Sequence, residues 1–306
     1  MKWLNRNDSE ANFEDRRGRT PKRGMAFGGI GAVVIIVMTL LFGKNPLQLL
    51  DMVNSVAPQQ QQEAVDPSRV HENEDLKVLT LGVFNSANDV WKEIFSKQMN
   101  QQYRLPTLVT YTDYTTSACG GASASVGPFY CPADEKIYID LNFFHQLADE
   151  FGASGDLAMA YVVAHEVGHH VQKLLGILEE VNQYRGRVSD VEFNKLNVKL
   201  ELQADFLAGV WAHQAQKMNI ILLEEGDLES VISATTAVGD DTIQKKARGY
   251  TMPDTFTHGT AAQRTYWFRK GFESGDIQSG DTFSALMPRS VVRERESTPQ
   301  NTTPTL

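Results

Sequence analysis

The stretch LAMAYVVAHEVGHHVQKLL, residues 157–175, contains no proline and is apolar on nearly every side of a helical projection. It predicts a buried helix that ends at Gly176. Within it, His165 and His169 are four residues apart, so that both imidazoles can reach one metal ion while Glu166 lies beside the position of a fourth ligand. This HExxH spacing is typical of zinc hydrolases, and the alternative is a pair of hydrogen-bonded core histidines.

Two histidines do not complete a catalytic zinc site, which commonly has three protein ligands and one open position. The segment VKLELQADFLAGV, residues 198–210, predicts a second helix on which Glu201 and Asp205 share one face among apolar neighbours. We expect Glu201 to be the third ligand and Asp205 to accept the ring N–H of a ligand histidine. The alternative is an ordinary charged edge of an amphipathic helix.

Motifs along the chain resemble those of a known family, the YpfJ-type neutral zinc metallopeptidases of bacterial membranes. The resemblance covers most of residues 76–275 and rests on these segments: Ser117–Gly120, Gly127–Asp134, Ala160–Gln172, Glu201–Trp211, His258–Thr260, Gln263–Arg264 and Trp267–Phe268. A departure is Phe206, where many relatives are expected to have cysteine. No catalytic role depends on that position.

The resemblance implies an α+β, zincin-like metallopeptidase domain with a small mixed sheet and an active-site helix. It implies one Zn²⁺ per chain, held by His165, His169 and Glu201, with Glu166 as the catalytic base in the hydrolysis of peptide or protein substrates. The expected chemistry is attack on a peptide carbonyl by a zinc-activated water whose proton Glu166 takes up and returns. An amidase acting on peptidoglycan peptides uses the same chemistry, and a non-catalytic zinc-binding module of the cell envelope is a further alternative.

A donor is also needed for the negative charge that develops on the attacked carbonyl oxygen. His258, in the loop-like segment THGTAAQR, resembles a position typical of this family and is the first candidate, and Tyr161 and Arg264 are others. For each of them an ordinary structural role is the alternative. His170 is expected to pack or to support the site from outside. Residues 137–140 are a candidate sheet edge for binding an extended substrate, and an ordinary internal strand is equally consistent with their sequence.

The segment GMAFGGIGAVVIIVMTLLFG, residues 24–43, has no charged residue and is long enough for one transmembrane helix. Basic residues crowd its N-terminal side, so the positive-inside rule predicts that residues 1–23 are cytoplasmic and that the catalytic domain lies outside the bacterial inner membrane, in the periplasm. A cleaved signal peptide is the competing interpretation. We expect a retained anchor, because no small-residue cleavage site closes the stretch.

Cys119 and Cys131 are the only cysteines, and in an oxidising compartment we expect them to form a disulfide bond. Two free buried thiols are the alternative, since a single pair without a neighbouring histidine lacks the spacing of structural zinc sites. The chain has a formal net charge of −9, and its excess of acidic residues lies beyond the basic N-terminal segment, which argues against a nucleic-acid partner.

Composition predicts a polar linker over residues 44–75, one folded domain over residues 76–287 and a disordered tail over residues 288–306. Within the domain, periodicity predicts strands over 78–84, 108–111 and 136–141. It predicts helices over 87–102 and 143–151.

Overall fold

The computed structural model describes residues 1–20, 64–66, 68–123, 127–149 and 152–284. Its helices are α1 (Glu74–Met99), α2 (Asn142–Asp149), α3 (Asp156–Leu174), α4 (Ile177–Asn182), α5 (Asp190–Lys217), α6 (Asp227–Ala237), α7 (Asp240–Arg248) and α8 (Ala261–Ser274). Its strands are β1 (Lys2–Trp3), β2 (Phe13–Arg16), β3 (Arg19–Thr20), β4 (Ala64–Val65), β5 (Thr107–Tyr111), β6 (Tyr114–Ser117), β7 (Gly120–Ser123), β8 (Phe129–Cys131), β9 (Lys136–Asp140) and β10 (Ile221–Leu222). The predicted α+β class is confirmed.

The largest sheet in the described residues has four strands in the order β2-β5-β9-β8. Strands β2, β5 and β9 run parallel, with Val109 opposite both Glu14 and Tyr138, and β8 is antiparallel to β9. The strands predicted over 108–111 and 136–141 are therefore confirmed as β5 and β9. Because β9 has a neighbour on each side, it is an internal strand, and the expectation that residues 137–140 form a sheet edge is wrong.

Helices cover one face of this sheet and enclose the main core. Helix α1 packs on α3 and α5, with Trp91 and Trp211 fully buried between them. The indole N–H of Trp211 donates to Ser86 Oγ at 3.0 Å, which satisfies its one polar atom. Burial of these large side chains is the main contribution that holds α1 against the helix pair α3 and α5.

The prediction of a strand over residues 78–84 is wrong, because these residues belong to helix α1. The run is apolar without strict alternation, and such a run fits a buried strand and a buried helix equally well. The helix face continues through Ala87, Val90 and Ile94, all of which are buried. Packing on two sides therefore explains the continuous apolar run.

Residues 1–20 join the same folded unit as the rest of the described chain. Strand β1 pairs with β10, β2 pairs with β5, and β3 pairs with β4, which lies beyond residue 63. Arg17 is buried and binds Asp15 and Glu74, the first residue of α1. We expected residues 1–23 to stand apart from the domain, but residues 2–20, which the structure describes, supply strands to its sheets.

This pairing also corrects the expected localisation, a single-pass protein with its N-terminus in the cytoplasm and its domain outside. Strands paired with each other lie on the same side of a bilayer, so residues 2–20 and the domain are not separated by one crossing. Among the described residues, no helix combines the length and apolar character needed to cross a membrane. Residues 24–43, most of the predicted linker and the tail from residue 288 lie outside the described residues.

The other face of the sheet carries a small cluster of Val109, Tyr111, Cys131 and Tyr138. A disulfide bond joins Cys131, at the end of β8, to Cys119 in the turn between β6 and β7. The predicted bridge is thus confirmed, and it ties the β6-β7 hairpin to the edge of the main sheet.

Candidate metal centre

The site lies between helices α3 and α5, which pack closely against each other. Gly168 makes the close packing possible: a Cβ atom there would lie 3.2 Å from the carbonyl oxygen of Ala204. Gly176 ends α3 with a φ of 77°, a left-handed conformation that favours glycine, as predicted. Helix α5 begins earlier than its predicted apolar part, at a capping box formed by Ser189 and Glu192.

Three side chains from these helices converge on one point. The Nε2 atom of His165 lies 3.2 Å from Glu201 Oε2, and that of His169 lies 3.6 Å from Glu201 Oε1. The donor atoms of His165, His169 and Glu201 all lie within 4.8 Å of one another, a grouping that could hold a metal ion. The three ligands expected from the sequence are therefore brought together.

The three side chains fit zinc in the type of their ligand atoms and in the ring nitrogens that they present. Two imidazole nitrogens and one carboxylate are a common ligand set for catalytic zinc, which leaves a fourth position open. The Nδ1 atom of each ring is already hydrogen-bonded elsewhere, His165 to Asp205 Oδ1 at 2.9 Å and His169 to Gln172 Oε1 at 2.9 Å. Each ring thus presents Nε2 to the shared point.

Asp205 lies behind His165, in the position expected of it. Its two oxygens accept hydrogen bonds from Arg264 Nε at 2.8 Å and Nη2 at 2.9 Å, and Oδ1 also accepts from the hydroxyl of Tyr161. Burial raises the pKa of Asp205, but the charges and hydrogen bonds of Arg264 and His165 together outweigh it, so the pKa is lowered and the carboxylate stays ionised. An ionised Asp205 only accepts, and the Nδ1 of His165 therefore carries the proton.

The charges of the site shift the pKa of its imidazoles. Burial lowers the pKa of His165, but hydrogen bonds and charge from Asp205 and Glu201 raise it to about 10. The pKa of Glu201 is held well below its usual value, because the charges of His169 and His258 outweigh burial. A site of buried carboxylates that attracts protons this strongly is equally suited to a cation.

Glu166 is buried on the same helix as the two histidines, and no hydrogen bond or ion pair to another described residue involves its carboxylate. Burial raises its pKa, and the positive charge of His169 and His165 opposes that shift only in part. Such a carboxylate holds a proton more readily than an exposed one, which suits a general base.

His258 reaches the site from the loop before α8. Its side chain is half-exposed, its charge interacts with Glu201, and Gly259 packs against Leu202 and Val198 on α5. Asp240 holds the loop, since its Oδ2 accepts the backbone N–H groups of residues 257, 258 and 259 at 2.6 to 2.9 Å. This role of Asp240 is not apparent from the sequence, in which it resembles an ordinary acidic residue at a helix start.

Tyr161, Arg264 and His170 lie away from the point that the three ligands share. Tyr161 and Arg264 are buried behind His165 and bound to Asp205, so neither is available to an attacked carbonyl. His170 packs toward the sheet, with Nδ1 bonded to the hydroxyl of Tyr130 and Nε2 to the carbonyl oxygen of Arg104. It therefore supports the contact between α3 and β8 and does not face the metal point.

The fold and the site together define an α+β protein of the HExxH type, with a glutamate on a later helix completing a possible metal site. The chain belongs to the family described as "Putative neutral zinc metallopeptidase", whose profile matches residues 1–283.

Relatives of this chain occur in distant bacteria. It is 41% identical over 291 residues to "Uncharacterized protein YpfJ" of Escherichia coli K12, covering 92% of this chain and 99% of that one. It is 42% identical over 211 residues to "Uncharacterized protein Mb2605" of Mycobacterium bovis and to "Uncharacterized protein Rv2575" of Mycobacterium tuberculosis, covering 66% of this chain and 68% of each. No solved structure matches the chain significantly.

Proposed function

We propose that this protein is a zinc-dependent peptidase that hydrolyses peptide bonds in peptide or protein substrates. The observation that carries the proposal is the convergence of His165, His169 and Glu201 beside the free, buried carboxylate of Glu166. A purely structural zinc site is normally closed by four protein ligands and has no use for such a carboxylate.

His165, His169 and Glu201 would hold one zinc ion, which when bound lowers the pKa of a water ligand and polarises a carbonyl group. Glu166 takes the proton of the attacking water on its carboxylate and returns it to the nitrogen of the departing amine. Its raised pKa makes Glu166 a stronger base for taking up this proton than an exposed carboxylate would be. Asp205 keeps His165 oriented throughout.

His258 supplies positive charge to the attacked carbonyl oxygen as it becomes negative. Although partial desolvation of the ring lowers the pKa of His258, the charges of Glu201 and Asp240 outweigh this and raise it. A ring that keeps its proton can donate a hydrogen bond, and the backbone contacts to Asp240 hold the loop in place. Asp240 is a positioning residue for His258.

The substrate would lie along β8, which in the described sheet has β9 as its one neighbour. Residues Phe129–Cys131 offer backbone groups for pairing with an extended peptide, and Tyr130 joins this strand to His170, the residue after a ligand. A structure with a bound peptide inhibitor whose backbone does not pair with β8 would contradict this placement.

The proposal is tested on the full chain, because residues 2–20 contribute strands to the fold. Purified protein is assayed against casein and against peptidoglycan stem peptides, with its zinc content measured by elemental analysis. We expect one zinc per chain and cleavage of casein. Glu166→Gln should keep the zinc and lose about 10²–10⁴-fold in rate, while Glu225→Gln on the surface should match the parent.

The outcomes separate the alternatives left open by the sequence. Cleavage of stem peptides alone would identify an amidase of peptidoglycan. Stoichiometric zinc with no hydrolysis of either substrate would favour a binding module, and the absence of zinc after metal-replete purification would overturn the proposed site.

A further inference from the structure

The two histidine ligands are supported by different groups. His165 is backed by the ionised Asp205, whereas His169 is backed by a neutral amide, that of Gln172 one turn further along α3. Gln172 is fully buried. The amide of a buried glutamine normally uses its donors and its acceptor in hydrogen bonds, and these bonds show how Gln172 is held beside the possible metal ligands.

The orientation of this amide is fixed by backbone carbonyls. The Nε2 of Gln172 donates to the carbonyl oxygen of Leu200 at 2.7 Å and to Gln203 Oε1 at 3.0 Å. Turning the amide over would place Oε1 against a carbonyl oxygen, which can only accept. Gln203 is fixed in the same way, because its Nε2 donates to the carbonyl oxygen of Gly280 at 3.2 Å.

The direction of the chain of hydrogen bonds follows from its fixed ends. With both donors of Gln172 used, its Oε1 is the atom that faces His169, and His169 must donate from Nδ1–H. In the neutral form that can bind a metal, the ring then has its lone pair on Nε2, the atom that lies toward Glu201. The amide thus selects one tautomer of His169 without adding a charge to a site that already holds several carboxylates.

We propose that Gln172 is a positioning residue that sets the tautomer of His169 for metal binding, and that Gln203 acts through it. This inference rests on the proposed function. Loss of such an outer partner typically costs 10–100-fold in metal affinity. The contribution of Gln203 exists only while Gln172 is there to be oriented.

The test compares zinc affinities of the full-length protein by chelator competition. Gln172→Met keeps the side-chain length and removes both hydrogen-bonding ends, and we expect about 10–100-fold weaker zinc binding. Gln203→Met should weaken binding less, and the double variant should match Gln172→Met alone. Gln183→Met, at an exposed position after α4, is the matched control and should bind zinc as the parent does.

A spectroscopic measurement separates positioning from general damage to the fold. In the metal-free protein, at a pH high enough for the rings to be neutral, ¹⁵N shifts distinguish a ring protonated at Nδ1 from one protonated at Nε2, and we expect His169 to be the Nδ1–H form. In Gln172→Met, a mixture of the two tautomers is expected, while the His165 signals stay unchanged.

Each result bears on the inference. Unchanged zinc affinity in Gln172→Met, beside a parent that binds zinc, would overturn it and leave the proposed function intact. If Gln203→Met weakens zinc binding as much in the Gln172→Met protein as it does in the parent, the inference is also overturned. A parent that binds no zinc would overturn both this inference and the proposed function.

Discussion

The helical layer and the sheet of this protein are assembled in different ways. In the helical layer, the hydrogen bond from His165 to Asp205 joins residues 40 apart, on helices separated by one short helix. In the sheet, Thr110 meets Asp15 across 95 residues of sequence. The two ligand-bearing helices are therefore neighbouring segments of the chain, whereas the sheet takes its outer strand β2 from a distant one.

This difference implies a division of labour that experiments can challenge. The helical layer contains the possible metal ligands on α3 and α5 and a buried ion pair between Asp205 on α5 and Arg264 on α8, so changes there should affect metal binding and stability together. The sheet is held by pairing of residues 13–16 and by a disulfide bond, so changes there should affect stability and leave the metal stoichiometry unchanged.

Removal of a ligand should have the largest effect. Glu201→Ala takes away one of three protein ligands, and the loss of zinc affinity should exceed the 10–100-fold typical of outer partners. Elemental analysis after dialysis should find zinc in the parent and little in the variant. Glu225→Ala is the control, and equal zinc in all three proteins would contradict the role of Glu201.

The ion pair behind His165 is expected to dominate the stability of the helical layer. Arg264→Met leaves Asp205 buried with its strongest partner gone, which should cost about 3–5 kcal/mol in the free energy of unfolding. The measurement is chemical denaturation in the presence of a chelator, so that zinc binding does not contribute.

A double variant sharpens this measurement. Asp205→Asn together with Arg264→Met should be less destabilised than the sum of the two single variants, because the uncompensated charge is removed. Additive losses would mean that the two side chains act independently.

Loss of the disulfide bond should damage the sheet alone. Replacing Cys119 and Cys131 by serine frees a loop with a sequence separation of 12, for which chain entropy predicts about 3 kcal/mol of lost stability. Denaturation of the oxidised parent and the double variant measures it. We expect the variant to retain full zinc stoichiometry, and a loss of zinc would show that the two layers are coupled.

The smallest predicted effect is a pH dependence of the sheet. Asp140 is fully buried at the end of β9, and burial raises its pKa to about 6, above the usual 3.8. The folded state therefore holds this proton more tightly than the unfolded state, and stability from this group declines as pH rises from about 4 to about 6.

Comparison with Asp140→Asn isolates that contribution. Relative to this variant, the parent should lose roughly 2–3 kcal/mol in the free energy of unfolding between those two pH values. Urea denaturation at several pH values measures the difference. Parallel curves for the two proteins would mean that Asp140 does not titrate in this range.

The sequence predicted what depends on local pattern. The helix period placed His165, His169 and Glu201 on facing surfaces, and Gly176 marked the end of α3. The Ser189–Glu192 capping box marks the start of α5 in the sequence. The prediction followed only the apolar stripe, which begins later, and therefore missed the first turns of the helix. The two cysteines formed the expected pair.

What the sequence did not reveal depends on distant partners. Residues 13–16 are mostly charged and resemble no strand, yet they form an outer strand whose Glu14 binds Lys136 across the sheet. The apolar residues 78–84 are compatible with a strand, and only the packing of other helices on them explains why they form part of a buried helix. Asp240 and Gln172 gained their roles only from where the fold brought their partners.

The pairing of β3 with β4 has a practical consequence for engineering the chain. Thr20 lies opposite Ala64, so the two residues that flank the segment 21–63 lie close together. A short turn joining these two residues would replace everything between them at little entropic cost. The shortened protein, in which that turn joins residues 1–20 to residues 64–306, should fold with His165, His169 and Glu201 in place. It would be a compact reagent for crystallisation and assay.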